Sequence, residues 1–242
     1  WHICVHVRSD GFYNESKNTG QSFRNSPIED YYKMFNTILR LGGWVVRMGD
    51  NKMPKINFDK FGKFRNKVID FANDENKTEV LDVALCATCE LFVSSPSGLH
   101  TVSHAFGKPS CYVNFPIYAG FPWHKDEVIL PKKYVNKYSK NTLSINDIYK
   151  SNLPYANHGF MLDMMNVELV NNDEDEILNL VLEGLINANT KFEDIINLDG
   201  VDEMKSKIVR DKVSGINKEF SLDISGVLSK IFCTKYFKHL IK

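Results

Sequence analysis

The chain has 242 residues, 43% hydrophobic and 25% charged, which is the make-up of an ordinary globular protein with one large domain or two small ones. Thirty basic residues balance thirty acidic ones, and this zero net charge argues against an electrostatic grip on nucleic acid or on an anionic membrane. No apolar run approaches the roughly 20 residues that span a bilayer.

Residues 3–7 read as a buried strand and lead into a polar stretch, 8–26. A strand at the very start suggests a sheet entered midway, so a further N-terminal portion is expected. Ser26-Pro27-Ile28-Glu29 has the form of a helix start, with a capping serine, proline in the first turn and an acid after it. Tyr31, Phe35, Ile38 and Leu39 continue it at helical spacing, and Gly42-Gly43 stops it. Residues 44–48 form a second strand, closed by Gly49-Asp50, and 67–71 a weaker third. The next helix is expected over 78–89, with Val80, Val83, Ala84 and Ala87 on one side. A buried strand follows at 91–93, then the turn Ser94-Ser95-Pro96-Ser97-Gly98, a helix at 99–106 and a strand at 110–114.

Strands apolar throughout and alternating with helices predict an α/β fold: a Rossmann-like parallel sheet with helices on both faces. After Asn114 the pattern loosens. Residues 115–124 read as an ordered loop, 143–150 as a short helix, and 173–188 as a clear one with Ile177, Leu178, Val181 and Leu185 on one face. The division expected is a nucleotide-sugar-binding domain over 1–190 and a mostly helical, polar tail over 191–242 packed on it. The basic stretch from Lys230 is read as a solvated face.

Five cysteines scattered through apolar segments suit reduced thiols in a cytoplasmic protein. Cys86-Ala-Thr-Cys89 lacks a second ligand pair and reads as two buried thiols late in a helix. His100 and His104 lie one turn apart without a third ligand, and no metal is implied.

Doubly wound sheets bind ligands at the carboxyl ends of their strands. Arg8 stands at the first such end, and only six arginines occur beside 24 lysines. A guanidinium holds two phosphate oxygens at once, so Arg8 is the first candidate for a diphosphate; a structural bridge to Asp10 or Asp50 is its alternative. Ser95, Ser97 and Gly98 form a strand–turn–helix that would offer amide and hydroxyl donors to an anion, or simply an N-cap. His6, Arg47, Asp82 and Asn114 complete the candidate binding set: His6 is as readily a core histidine, and Asp82 a solvated acid. Asp10 is the least poor candidate for a general base. There is no phosphate-binding P-loop, no G-x-G-x-x-G and no nucleophile elbow.

The ordered set His6-Val7-Arg8-x-Asp10, Arg24-Asn25, Gly42-Gly43-Trp44-Val45-Val46-Arg47-Met48-Gly49-Asp50, Asp82 with Cys89, Ser97-Gly98, Phe106-Gly107-Lys108-Pro109 and Val113-Asn114 resembles a family of bacterial glycosyltransferases of surface-polysaccharide synthesis. Leu130-Pro131-Lys132-Lys133 and Leu153-Pro154-Tyr155-Ala156-Asn157 extend the resemblance over residues 2–185. More distantly, His6-Val7-Arg8 is similar to the His-x-Arg motif of α1,6- and O-fucosyltransferases, whose arginine holds the donor's β-phosphate. The resemblance implies the donor-binding, C-terminal half of a two-domain GT-B enzyme, preceded by an acceptor domain. It implies a metal-independent transfer from a nucleotide diphosphate sugar to a glycan or lipid-linked acceptor, with the donor as substrate and no separate cofactor. The protein would be cytoplasmic or peripheral at the inner face of the membrane. A sugar-nucleotide epimerase of the same fold and a non-catalytic nucleotide-binding module of a capsule-assembly protein are the alternatives.

Overall fold

The computed structural model describes residues 1–9, 20–116, 127–219 and 226–241. Its strands are β1 (His2–His6), β2 (Trp44–Met48), β3 (Val68–Ile69), β4 (Leu91–Ser94), β5 (Ser110–Phe115), β6 (Glu127–Pro131), β7 (Lys133–Asn136), β8 (Val167–Val170) and β9 (Val227–Leu228). The helices are α1 (Tyr32–Arg40), α2 (Glu79–Thr88), α3 (His100–Ala105), α4 (Ile145–Tyr149), α5 (Gly159–Met164), α6 (Glu174–Ala188), α7 (Glu203–Glu219), α8 (Lys230–Lys235) and α9 (Phe237–Leu240). Seven strands form one sheet in the order β3-β2-β1-β4-β5-β6-β9. Every pairing within it is parallel. The β7–β8 pair is a separate antiparallel ribbon.

Burial on both faces explains the unbroken apolar strands. Ile3 and Val5 of β1, with Leu91 and Val93 of β4, join the large core beneath α1 and α6. Cys4 and Phe92 point the other way, into a smaller cluster with Met48, Phe71, Cys86 and Cys89. The chain is thus α/β with helices on both sides of a parallel sheet, a Rossmann-like arrangement.

Local chemistry sets the element ends. Gly42 ends α1 at φ +91°, a left-handed conformation that glycine adopts without strain. Asp173 caps α6 reciprocally with Glu176, and Ser144 caps α4 with Asp147. Gly184 lets α6 lie close on the sheet, since a Cβ there would stand 2.2 Å from the Cys111 sulfur. Asn114 takes φ +55° at a register shift between Val113 and Phe115, a left-handed bulge that asparagine tolerates.

Several local expectations are corrected. Ser26 does not cap a helix: its hydroxyl pairs with Tyr31 Oη at 3.2 Å, and the chain enters α1 through a 3-10 turn at Ile28–Tyr31. The Val80 and Val83 side of α2 faces outward. Val80 is 76% and Val83 42% exposed, because the helix meets the sheet along the Cys86 edge instead. The tail is helical in α7–α9 but also adds β9 beside β6. Two of its lysines are ion-paired, Lys230 with Glu203 and Lys235 with Asp173 and Glu176. Residues 117–124 of the expected loop lie outside the described residues. Cys86 and Cys89 are, as expected, free and buried.

Candidate functional site

The sheet order reverses between β1 and β4, so the crevice of a doubly wound fold falls at their carboxyl ends. The two ends are stitched together there. Ser95 N–H donates to the His6 carbonyl at 3.0 Å, and Arg8 N–H donates to Ser95 Oγ at 2.6 Å. The expected meeting of the His-Val-Arg and Ser-rich segments is therefore real in space. It uses up Ser95, which is fully buried, while Ser97 is half-buried and Gly98 exposed at the rim. The helix after this turn, α3, has only six residues, so it has little dipole to offer an anion.

Three basic side chains crowd this end of the sheet, joined through one asparagine and one turn. Arg8 Nε donates to Asn25 Oδ1 at 3.2 Å, and Lys132 Nζ donates to the Asn25 carbonyl at 2.9 Å. Arg24 donates to the Pro96 carbonyl at 2.9 Å, holding the Ser-rich turn. Lys132 is only 2% exposed, and among the described residues no carboxylate pairs with it. Burial pulls its amine down to about 8. Sequence reasoning missed Lys132, Asn25 and Arg24 as site residues. The sequence signals were their place in the Arg24-Asn25 and Leu130-Pro131-Lys132-Lys133 segments of the resemblance and, for Lys132, a position directly after the apolar run Val128-Ile129-Leu130-Pro131.

Lys132→Met is expected to make the protein more stable at pH 7 by about 2 kcal/mol. With the folded value near 8 against an unfolded value of about 10.4, the charged amine costs the fold on the order of 3 kcal/mol below pH 8, and the lost hydrogen bond returns about 1. The penalty fades from pH 8 to about 10.5, because over that range only the unfolded state keeps the proton. Urea titrations of both proteins at the two pH limits check this; a variant weaker than wild type at pH 7 would refute it.

His6 is 7% exposed, and its pKa is pushed down to about 4, by burial first and then by the Arg47 guanidinium. It is neutral at physiological pH. Arg8, Asp50 and His100 also face it. His100 is likewise brought down to about 4 by burial, with its ring against the Ser97 backbone. Among the described residues, four buried atoms here have no hydrogen-bond partner: His6 Nδ1, Ser9 Oγ, Arg47 Nε and His100 Nδ1. Such groups are uncommon in folded proteins and ask for an explanation where they gather.

The other sequence candidates are placed elsewhere or put to other use. Arg47 is 1% exposed and locked by Asp70 at 2.8 Å and the Pro54 carbonyl at 3.1 Å, with its Nε edge left over. Asp82 is ion-paired with Lys77 at the start of α2. Asn114 is fully buried in a reciprocal pair: its N–H donates to Asn172 Oδ1 at 3.0 Å and its Oδ1 accepts from Asn172 N–H at 2.7 Å. The structure thus turns Asn114 into the fold rather than toward the rim. Asp10 lies outside the described residues.

Beside Arg8, on the β2 side, a cavity of about 330 Å³ opens between Val7, Ser9, residues 25–29, Arg47 and Pro54. None of residues 94–98 lines it. Among the described residues, no three His, Cys, Asp or Glu side chains gather as a metal site, and no helix is long and apolar enough to cross a membrane.

Fold and crevice together define a Rossmann-like α/β protein with basic groups and unsatisfied polar atoms at its switch point. No protein-family profile, curated protein or solved structure matches the chain.

Proposed function

We propose that this rim binds the diphosphate of a nucleotide sugar, and that the chain is the donor-binding part of a metal-independent glycosyltransferase of GT-B type. The observation that carries the reading is the convergence of Arg8, Arg24 and Lys132 on the carboxyl ends of β1, β4 and β6, with Lys132 buried and no carboxylate paired with it among the described residues. A buried cation without a counter-ion is costly, and an anionic ligand at the same place would relieve that cost. The resemblance of the His6-Val7-Arg8 and Ser97-Gly98 segments to bacterial glycosyltransferases supports the same ligand.

In this reading Arg8 neutralises charge as it develops on the leaving diphosphate, and the Ser97–Gly98 amides and Lys132 assist. Neutral His6 donates or accepts a hydrogen bond without adding charge. Asp10 is the candidate base toward the acceptor, a glycan or lipid-linked sugar. Asn114 keeps a structural role, Asp82 has none in the chemistry, and Arg47 is braced by Asp70 with its Nε edge left over. The protein would work in the cytoplasm, where activated sugars are made, or at the inner face of the membrane.

Thermal unfolding in the presence of UDP, GDP, CDP and dTDP tests the reading. A diphosphate at 100 times its dissociation constant adds about 2.7 kcal/mol, a rise of roughly 5–10 °C for a chain of this size. No rise with any of the four overturns it.

A further inference from the structure

We infer that the cavity beside Arg8 receives the sugar ring of the donor rather than its nucleoside. The inference rests on the nucleotide-sugar reading and adds a subsite to it. At about 330 Å³ the cavity is at the small end for ligand sites, room for one ring and not for a whole nucleoside diphosphate. It is also connected to the proposed phosphate position. Asn25 lines it and accepts the hydrogen bond from Arg8 Nε, so a group attached to a phosphate on Arg8 would point into it.

Its chemistry is two-sided. Val7, Ile28 and the neighbouring prolines make an apolar wall suited to the C–H face of a pyranose. Among the described residues no aromatic ring lines it. The polar edge keeps hydrogen-bonding capacity: among the described residues, Ser9 Oγ and Arg47 Nε are buried without partners. Arg47, held by Asp70, lines the cavity, and its Nε has no hydrogen-bond partner among the described residues. Glu29 stands exposed at the mouth, its carboxylate in no hydrogen bond or ion pair among the described residues. A carboxylate in this position accepts from two adjacent hydroxyls, and a fixed guanidinium N–H donates to a third.

Calorimetric titration of the whole chain with UDP, GDP, CDP and dTDP and with their hexose conjugates tests the subsite, using Glu29→Gln and, separately, Ser9→Ala. Glu29 is exposed, so its replacement leaves the fold intact. The expected result is an affinity loss of about tenfold for the hexose conjugate in Glu29→Gln and a smaller loss in Ser9→Ala, with the bare diphosphate unchanged. Equal losses for conjugate and bare diphosphate assign the cavity to the nucleoside and overturn the inference, as does no loss for either. Failure of wild type to bind any of the eight compounds removes the nucleotide-sugar reading itself, and the subsite with it.

Discussion

Replacing Arg8 by alanine is expected to weaken nucleotide-diphosphate binding roughly 100-fold and to abolish sugar transfer, while the protein stays folded. Two charge-assisted hydrogen bonds to phosphate together contribute on the order of 3 kcal/mol, and each 1.4 kcal/mol is a factor of ten. The fold should survive because the contact that stitches β1 to β4 uses the Arg8 backbone N–H, which alanine keeps. Among the described residues, the side-chain hydrogen bond lost is the one to Asn25, at a half-buried position. Arg8→Lys should recover part of the affinity: it restores the charge but not the two-pronged geometry. Near-normal binding in Arg8→Ala, with an unchanged circular dichroism spectrum, would remove Arg8 from the site.

The largest loss of stability is expected at Arg47. Its guanidinium is paired at 2.8 Å with an Asp70 side chain only 7% exposed, so Arg47→Ala leaves a buried carboxylate without its cation. Breaking a buried pair in this way costs about 3–5 kcal/mol, which for a chain of this size is roughly 10–15 °C in melting temperature. Asp70 also accepts from Ile56 N–H at 3.1 Å and Asn73 Nδ2 at 2.9 Å, tying the 54–56 segment to the end of β3. Those bonds survive in Arg47→Ala and hold a charge that nothing balances. Asp70→Asn removes that charge while keeping an acceptor. The double change Arg47→Met with Asp70→Asn should therefore cost much less than the sum of the two single changes. Strict additivity in that cycle would mean the two side chains act independently, against the geometry.

Both outcomes turn on the difference between a residue's place in the chain and its partner in space. Arg8 and Arg47 look alike in the sequence, each an arginine at a strand end. One faces the rim beside Asn25; the other is enclosed and bound to an aspartate 23 residues on. Ser95 and Ser97 are similarly indistinguishable as letters, yet Ser95 is consumed by the Arg8 backbone while Ser97 stays half-buried at the edge.

The alternation of apolar runs and helical spacing over the first 115 residues was enough to set the parallel sheet, because strands buried on both faces must be apolar throughout and helices must cross between them. The carboxyl ends of β1 and β4 as the place for chemistry followed from the same topology. The later strands were not legible. In β9 two residues carry no period, and Glu127 and Lys133 put charges at the ends of β6 and β7. Which face of α2 meets the sheet was not legible, because local spacing tells which residues share a side, not which side is covered. Lys132 against Asn25, 107 residues apart, and Asn114 against Asn172, 58 apart, came from packing alone: hydrogen-bond partners are chosen by whichever backbones the fold brings within about 3 Å, and no local rule contains that choice.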